Sequence, residues 1–212
     1  MLDALSIEGA SDSLNAEIRE VLGLEFPISS FDLDLDKLHE RVSSLPPVEI
    51  AEVHIKGGGI LSVRVDEKIP ALLIKKDIGF NVLSEHGQYI RSVSSREHFS
   101  HLPLITGEGA ENVASQAPSL FKAIGGELDE VRGLVFVGKR RWNIVLASGQ
   151  VIMLPANNPE QAIQKILILD KAEQILSRQV AIFDFRIPSR ITLRIPTDDY
   201  GRINSEIVGV RN

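Results

Sequence analysis

The basic cluster Lys139-Arg140-Arg141-Trp142 is the part of the sequence best suited to binding an oppositely charged group. Guanidinium groups donate paired hydrogen bonds to carboxylates and phosphates. The chain as a whole is acidic, with 23 Lys and Arg against 29 Asp and Glu, whereas a nucleic-acid interface requires clustered cationic surface. We therefore predict that the cluster pairs with carboxylates of a protein partner and not with nucleic acid. The alternative is a strand end whose charges are simply solvated.

A second candidate binding element lies near the C-terminus, where apolar and polar residues alternate. Ile191, Leu193 and Ile195 are separated by Thr192 and Arg194, the pattern of a β-strand with one apolar face. If this strand forms the edge of a sheet, its unpaired main-chain groups can accept a strand from another chain. The alternative is a final strand that the C-terminal tail covers.

The sequence contains few groups suited to catalysis or calcium binding. It has no cysteine, which excludes disulfides, thiolate zinc sites and cysteine nucleophiles. The alternating aspartates of 32–36 resemble the start of an EF-hand loop, but Lys37 stands where that loop requires glycine and Ser43 where it requires glutamate. We interpret 32–36 as an acidic loop that caps a helix.

Two histidines form the remaining candidate for metal chemistry. His98 and His101, with Glu97 beside them, offer zinc ligands, but catalytic helical motifs place their histidines four positions apart. We interpret them as surface histidines and keep a zinc hydrolase as an alternative. Nucleophile-elbow, phosphate-loop and dinucleotide motifs are absent from the sequence. We therefore expect no enzymatic activity, no metal and no cofactor.

The predicted elements that would position these candidates indicate an α+β fold. With 43% hydrophobic and 25% charged residues, the chain has the composition of an ordinary globular protein. It contains no apolar run long enough for a membrane helix and no visible signal peptide. In the first third, periodicity, capping residues and turn residues predict the order strand, helix, helix, strand, strand. These elements are Leu5–Gly9, a helix from Ser11–Ser13 to Gly23, a helix that is capped by Asp32 or Asp34 and ends before Leu45, and strands Val48–Ile55 and Ile60–Glu67.

The remainder of the chain is predicted to be mainly antiparallel β with flanking helices. Asn158-Pro159-Glu160-Gln161 carries the clearest helix start, with Asn158 as N-cap and Gln161 completing a capping box. A weaker helical pattern covers Asn112–Ile124, and 197–212 is expected to be a disordered tail. The predicted strands are Ala71–Lys75, Phe80–Leu83, Tyr89–Ile90, Val131–Val137, Trp142–Leu146, Val151–Leu154, Val180–Phe185 and Ile191–Ile195.

In order and spacing, these segments resemble the periplasmic region of the bacterial FtsQ/DivIB division-protein family, in its alphaproteobacterial form. The first half resembles a POTRA domain at Leu5–Gly9, at Phe31–Leu35 and at Leu45-Pro46-Pro47-Val48, although Pro47 stands where the family usually has tryptophan. The second half resembles the FtsQ β domain at three motifs: Leu102–Gly107, Arg140-Arg141-Trp142 and Phe183–Arg186.

The resemblance implies a POTRA domain over 1–74, an FtsQ-type β domain over 75–196 and a tail over 197–212. It also implies a non-enzymatic scaffold at the division septum that links early and late division proteins. Such a protein is held in the inner membrane by one N-terminal helix that this chain lacks, with the present region in the periplasm. A POTRA-type chaperone of outer-membrane protein assembly is the alternative function.

The partners that the resemblance implies are the division proteins FtsB and FtsL, and further divisome proteins in addition. The β domain would bind them by strand addition on its last strand. The family's main FtsB contacts lie on that strand and beside the tryptophan-bearing strand. Carried over to this sequence, they fall on Lys139, Arg140, Ile187, Ser189, Arg190, Ile191 and Leu193.

Overall fold

The computed structural model describes residues 1–126, 131–187 and 189–195. It contains two compact units, one formed by Met1–Ile69 with Tyr89–Arg91 and the other by Pro70–Gln88 with the chain from Ser92 onward. None of the helices in this described part is long and apolar enough to cross a membrane.

The first unit has the predicted order of strand, helix, helix, strand and strand. Gly23 ends the first helix in a left-handed conformation, with φ 57°, which glycine adopts without steric cost. Asp34 caps the second helix by accepting a hydrogen bond from the Lys37 amide at 3.2 Å, so the interpretation of the acidic loop is confirmed. The elements are β1 (Ala4–Glu8), α1 (Asp12–Leu22), α2 (Leu35–Ser43), β2 (Val48–Lys56) and β3 (Ile60–Glu67).

The sheet of this unit has the order β1-β3-β2. The hairpin strands β2 and β3 are antiparallel, whereas β1 runs parallel to β3. Alternate residues of β3 face the helices, and Leu61, Val63 and Val65 are buried there against Leu14 and Ile18 of α1. One apolar sheet face and two amphipathic helices therefore form the core.

The second unit holds most of a nine-stranded sheet, with two helices against one face; Tyr89–Arg91, the start of one edge strand, are grouped with the first unit. The sheet has the order β12-β11-β10-β9-β8-β7-β4-β5-β6, and Leu120 and Ile166 of its helices pack on the apolar face. The elements are β4 (Pro70–Lys75), β5 (Phe80–Ser84), β6 (Tyr89–Val93), β7 (Leu104–Thr106), α3 (Ala117–Ile124), β8 (Val131–Val137), β9 (Arg141–Leu146), β10 (Val151–Met153), α4 (Pro159–Glu173), β11 (Ile182–Ile187) and β12 (Arg190–Arg194).

The α+β fold class, with the predicted strand–helix–helix–strand–strand order in the first unit and a mainly antiparallel β second unit, is confirmed. The pairs β8–β9, β9–β10 and β11–β12 are antiparallel. In contrast, β10 and β11 are parallel, because α4 carries the chain back across the sheet between them.

The structure differs from the sequence analysis at three places. The compact units separate between Ile69 and Pro70, whereas the predicted boundary lies between 74 and 75. The observed boundary comes earlier because β4 pairs with β5 and β7 and therefore belongs to the second unit. Strand β7 was not predicted, since its three residues are too few to show a period. The predicted capping box at α4 is wrong, because Asn158 has a left-handed backbone conformation, with φ 52°, and its side chain makes no capping hydrogen bond. The predicted tail, 197–212, lies outside the described residues.

The side-chain amide of Gln150 holds the connection from α4 to β11. Its Nε2 donates to the carbonyl oxygens of Leu176, Arg178 and Val180 at 3.1, 3.0 and 3.1 Å. A single side chain therefore fixes the segment that leads into the last two strands.

Replacing Gln150 tests this role. We expect Gln150→Ala to lower the free energy of unfolding by about 1 kcal/mol, because partly buried hydrogen bonds are lost. Gln150→Glu should lower it further, because a carboxylate would face three carbonyl oxygens. Urea denaturation measures both effects, with Gln161→Ala, which changes an exposed glutamine, as the matched control. Wild-type stability in Gln150→Glu would contradict the assignment.

Candidate partner-binding site

Strand β12 forms one edge of the nine-stranded sheet. Among the strands that the structure describes, its neighbour is β11, with Phe183 opposite Leu193 and Asp184 opposite Thr192. The prediction that this strand lies at a sheet edge is therefore confirmed for the described residues.

The main chain of β12 has one side turned toward β11 and one turned away. The Arg194 carbonyl accepts a hydrogen bond from the Ala181 amide at 2.7 Å, so the main-chain groups of Arg194 point toward the preceding strand. Because this direction alternates along a strand, the N–H and C=O groups of Ile191 and Leu193 point to the outer side. These are the groups that an added strand would use.

The side chains of β12 separate into an apolar and a polar face. Ile191 packs partly on the core beneath α3 and α4, and Leu193 lies opposite the fully buried Phe183. Leu193 is 42% exposed and Ile195 is 74% exposed. The apolar face of the sheet thus continues past its last strand into solvent, which suits an apolar side chain from a partner.

The polar face of β12 lies on a cavity that we call the arginine pocket. Its volume is about 450 Å³. Thr192 and Asp184, which stand opposite each other in the sheet, are both in its wall. The lining residues are Arg140, Arg141, Ala156, Asp184, Arg186, Ile187, Arg190 and Thr192.

Four guanidinium groups face one carboxylate in the lining of the arginine pocket as the structure describes it. Asp184 accepts hydrogen bonds from the Arg186 side chain at 2.8 and 2.5 Å, and this lowers the pKa of Asp184. Burial and the neighbouring cations Arg186 and Arg140 lower the pKa of Arg141. The pocket therefore holds excess positive charge and is suited to a carboxylate from outside.

Lys139 is the member of the predicted basic cluster that lies outside the arginine pocket. It is in the turn between β8 and β9, and its ammonium group forms an ion pair with Glu108 at 2.5 Å. This contact raises the pKa of Lys139. Its charge is thus paired within the chain, whereas Arg140 forms no ion pair with the residues that the structure describes.

The structure brings together three of the seven predicted contact residues, Arg140, Ile187 and Arg190, in the wall of the arginine pocket. Ile191 and Leu193 lie on the other face of β12, and Ser189 is an exposed turn residue before that strand. The seven predicted contacts did not include the other five residues that line the pocket: Arg141, which belongs to the predicted basic cluster, and Ala156, Asp184, Arg186 and Thr192. The alternation that placed Ile191 and Leu193 on one face of β12 also places Thr192 on the other, so the sequence could have indicated Thr192. Arg141, Asp184 and Arg186 could not be grouped from the sequence, because only the strand order β9-β10-β11 brings them together.

The described residues do not support the zinc alternative. His98 lies in a short 3-10 turn, Glu97–Phe99. Across 1–126, 131–187 and 189–195, no three His, Cys, Asp or Glu side chains come close enough together to hold a metal ion.

Two family models match this chain. A model of the POTRA domain, FtsQ-type, matches residues 2–68. A model of the cell division protein FtsQ/DivIB, C-terminal, matches residues 72–186, more than half of the chain. The chain belongs to the FtsQ/DivIB family.

Proteins named cell division protein FtsQ in three alphaproteobacteria are similar to this chain. Identity is 42% over 194 residues in Jannaschia sp., 38% over 195 residues in Roseobacter litoralis and 40% over 195 residues in Paracoccus denitrificans. Each alignment covers 92% of this chain, but it covers 62%, 67% and 57% of the respective relatives. The predicted resemblance to this family is confirmed.

The ion pair between Asp184 and Arg186 makes stability depend on pH in a defined direction. Arg186 lowers the pKa of Asp184 below its ordinary value of 3.8. The pair therefore stabilises the fold above about pH 4, and this contribution is lost as the pH falls through the lowered pKa. We expect Asp184→Asn to be about 0.5–1 kcal/mol less stable than wild type between pH 7 and pH 5, because the pair is partly open to solvent.

Below pH 4 the difference between wild type and Asp184→Asn should shrink. Urea denaturation at several pH values measures it, and Asp77→Asn, which removes an exposed carboxylate, makes the same change of charge elsewhere. A difference that stays constant down to pH 3 would show that the pKa of Asp184 is not lowered.

Proposed function

We propose that this protein is a non-enzymatic scaffold of the bacterial divisome that binds FtsB and FtsL by strand addition on β12 and so links early to late division proteins. The observation that carries the proposal is the outer side of β12, where the main-chain groups of Ile191 and Leu193 point away from β11. Membership of the FtsQ/DivIB family supports a division role, and the edge strand supplies a mechanism for binding.

In this proposal the partner makes three kinds of contact. Its main chain pairs with Ile191 and Leu193, an apolar side chain covers the exposed part of Leu193, and a carboxylate enters the arginine pocket beside Arg140 and Arg190. Ile187 and Ser189 contact the end of the added strand. Lys139 acts at the rim, where its pairing with Glu108 reduces its contribution.

We further propose the cellular setting that family membership makes natural. The two units lie in the periplasm at the septum, and the native protein is anchored in the inner membrane by a single N-terminal helix. The POTRA-type unit contributes to septal recruitment, whereas the second unit holds the partners. The chaperone alternative gains no support from the family matches, because an FtsQ/DivIB C-terminal model follows the POTRA match.

Titration against a soluble periplasmic fragment of FtsB and FtsL tests the proposal. We expect binding at micromolar concentration or tighter. Leu193→Pro should weaken it at least tenfold, because proline removes an outward N–H and its hydrogen bond to the partner while leaving the bonds to β11 in place. Circular dichroism checks that the variant is folded. Folded wild-type protein that does not bind at micromolar concentrations would overturn the proposal.

Charge reversal tests the contribution of the arginine pocket to binding separately from that of the β12 main chain. Arg190→Glu places a carboxylate where a partner carboxylate is proposed to lie, and we expect it to weaken binding at least tenfold at low salt. Arg132→Glu, an exposed arginine on β8 that does not line this pocket, makes the same change of charge as a control. Isothermal titration calorimetry compares the two, and equal losses would contradict a specific role of the pocket.

A further inference from the structure

The arginine pocket lies where the short strand β10 ends between its two neighbours. Met153, the last residue of β10, stands opposite Asn143 of β9 and Asp184 of β11. Two positions further toward this end of the sheet, β9 carries Arg141 and β11 carries Arg186, and both residues line the pocket. The strand order thus gathers cationic side chains around a cavity of about 450 Å³.

Three of the four arginines in this pocket form no ion pair with the residues that the structure describes. Arg186 is held by Asp184, whose carboxylate accepts its hydrogen bonds at 2.8 and 2.5 Å. The other three are Arg140, Arg141 and Arg190. The described lining therefore carries four positive charges against one negative charge, and a singly charged ligand would leave most of this excess unbalanced.

The side chain of Arg141 gives a second, independent indication of an anion. Its Nε is buried and has no hydrogen-bond acceptor within residues 1–126, 131–187 and 189–195. Burial and the neighbouring cations Arg186 and Arg140 lower the pKa of Arg141, because they disfavour its charged form. An oxyanion would supply the acceptor that this buried donor lacks and would stabilise the positive charge of Arg141.

A phosphate group meets both requirements. Near neutral pH a phosphate monoester carries about −1.5 to −2 charges and has three strong acceptor oxygens. Arginine binds such groups with paired hydrogen bonds. The hydroxyl of Thr192, in the same wall of the pocket, is a further donor.

We propose that the arginine pocket is a phosphate site, in which free phosphate or a phosphate monoester binds between Arg140, Arg141 and Arg190. A phosphodiester, as in a lipid headgroup, carries one negative charge and therefore binds more weakly. Binding of phosphate requires no partner protein. Only its consequence, competition with the partner carboxylate for the same arginines, rests on the proposed function.

Isothermal titration calorimetry of the full 212-residue chain with inorganic phosphate tests the site without any partner. We expect saturable binding of phosphate, and at least tenfold weaker binding of dimethyl phosphate and of acetate, because each of these carries one charge. Glycerol 3-phosphate is titrated in parallel, and tighter binding than that of phosphate would identify a monoester as the ligand. Dimethyl phosphate that binds as tightly as phosphate, or no saturable binding of phosphate and glycerol 3-phosphate, would overturn the proposal.

Two variants locate the bound phosphate. Arg190→Gln should weaken phosphate binding at least fivefold, because it removes a guanidinium group from the pocket. Arg132→Gln changes an exposed arginine that does not line the pocket and should leave the affinity unchanged. Circular dichroism checks that both variants are folded. Equal losses of affinity in the two variants would overturn the assignment of phosphate to the arginine pocket.

A competition experiment distinguishes this proposal from the proposed function. At matched ionic strength, saturating phosphate should weaken binding of the FtsB–FtsL fragment at least threefold relative to chloride. Phosphate binding by a protein that does not bind the fragment would overturn the proposed function alone. Fragment binding without phosphate binding would overturn only the phosphate site. Binding of both without competition would overturn the proposed contact between the partner carboxylate and the pocket.

Discussion

A β-strand has two hydrogen-bonding edges, and β12 uses one of them for β11. The direction of the Arg194 carbonyl toward Ala181 fixes the other edge, with Ile191 and Leu193, as the outer margin of the sheet. An open edge binds any compatible strand, so specificity must come from side chains. In the proposed binding mode, the exposed apolar surface around Leu193 supplies specificity on one face, and the excess positive charge of the arginine pocket supplies it on the other.

A few contacts within the second unit determine where this edge lies. Helix α4 carries the chain across the sheet so that β11 lies parallel to β10, and the Gln150 amide fixes the segment that enters β11. The pair Asp184–Arg186 ties one arginine of the pocket to the sheet, and in the proposed binding mode Arg140 and Arg190 hold the carboxylate of the partner. The order of the strands thus determines both the fold of this part of the sheet and the residues that line the arginine pocket.

Local patterns predicted most elements but not how distant elements meet. Alternation in 191–195 predicted a strand with one apolar face, and capping residues predicted the limits of α1 and α2. The three-residue β7 was not predicted because it is too short to show a period. Asn158 has a left-handed backbone conformation, and its side chain does not cap α4. The ion pair of Lys139 with Glu108 could not be predicted, because nothing in the sequence brings Glu108 to the β8–β9 turn. Arg141, Asp184 and Arg186 form one pocket only because β9, β10 and β11 are neighbours.

The most direct test of strand addition is an NMR measurement of intermolecular contacts. A ¹³C,¹⁵N-labelled FtsB–FtsL fragment bound to the unlabelled chain would report which protons of the two proteins are close. The account predicts contacts between partner main-chain protons and those of Ile191 and Leu193, in the alternating pattern of a paired strand. Intermolecular contacts confined to the first unit, with none at β12, would contradict it.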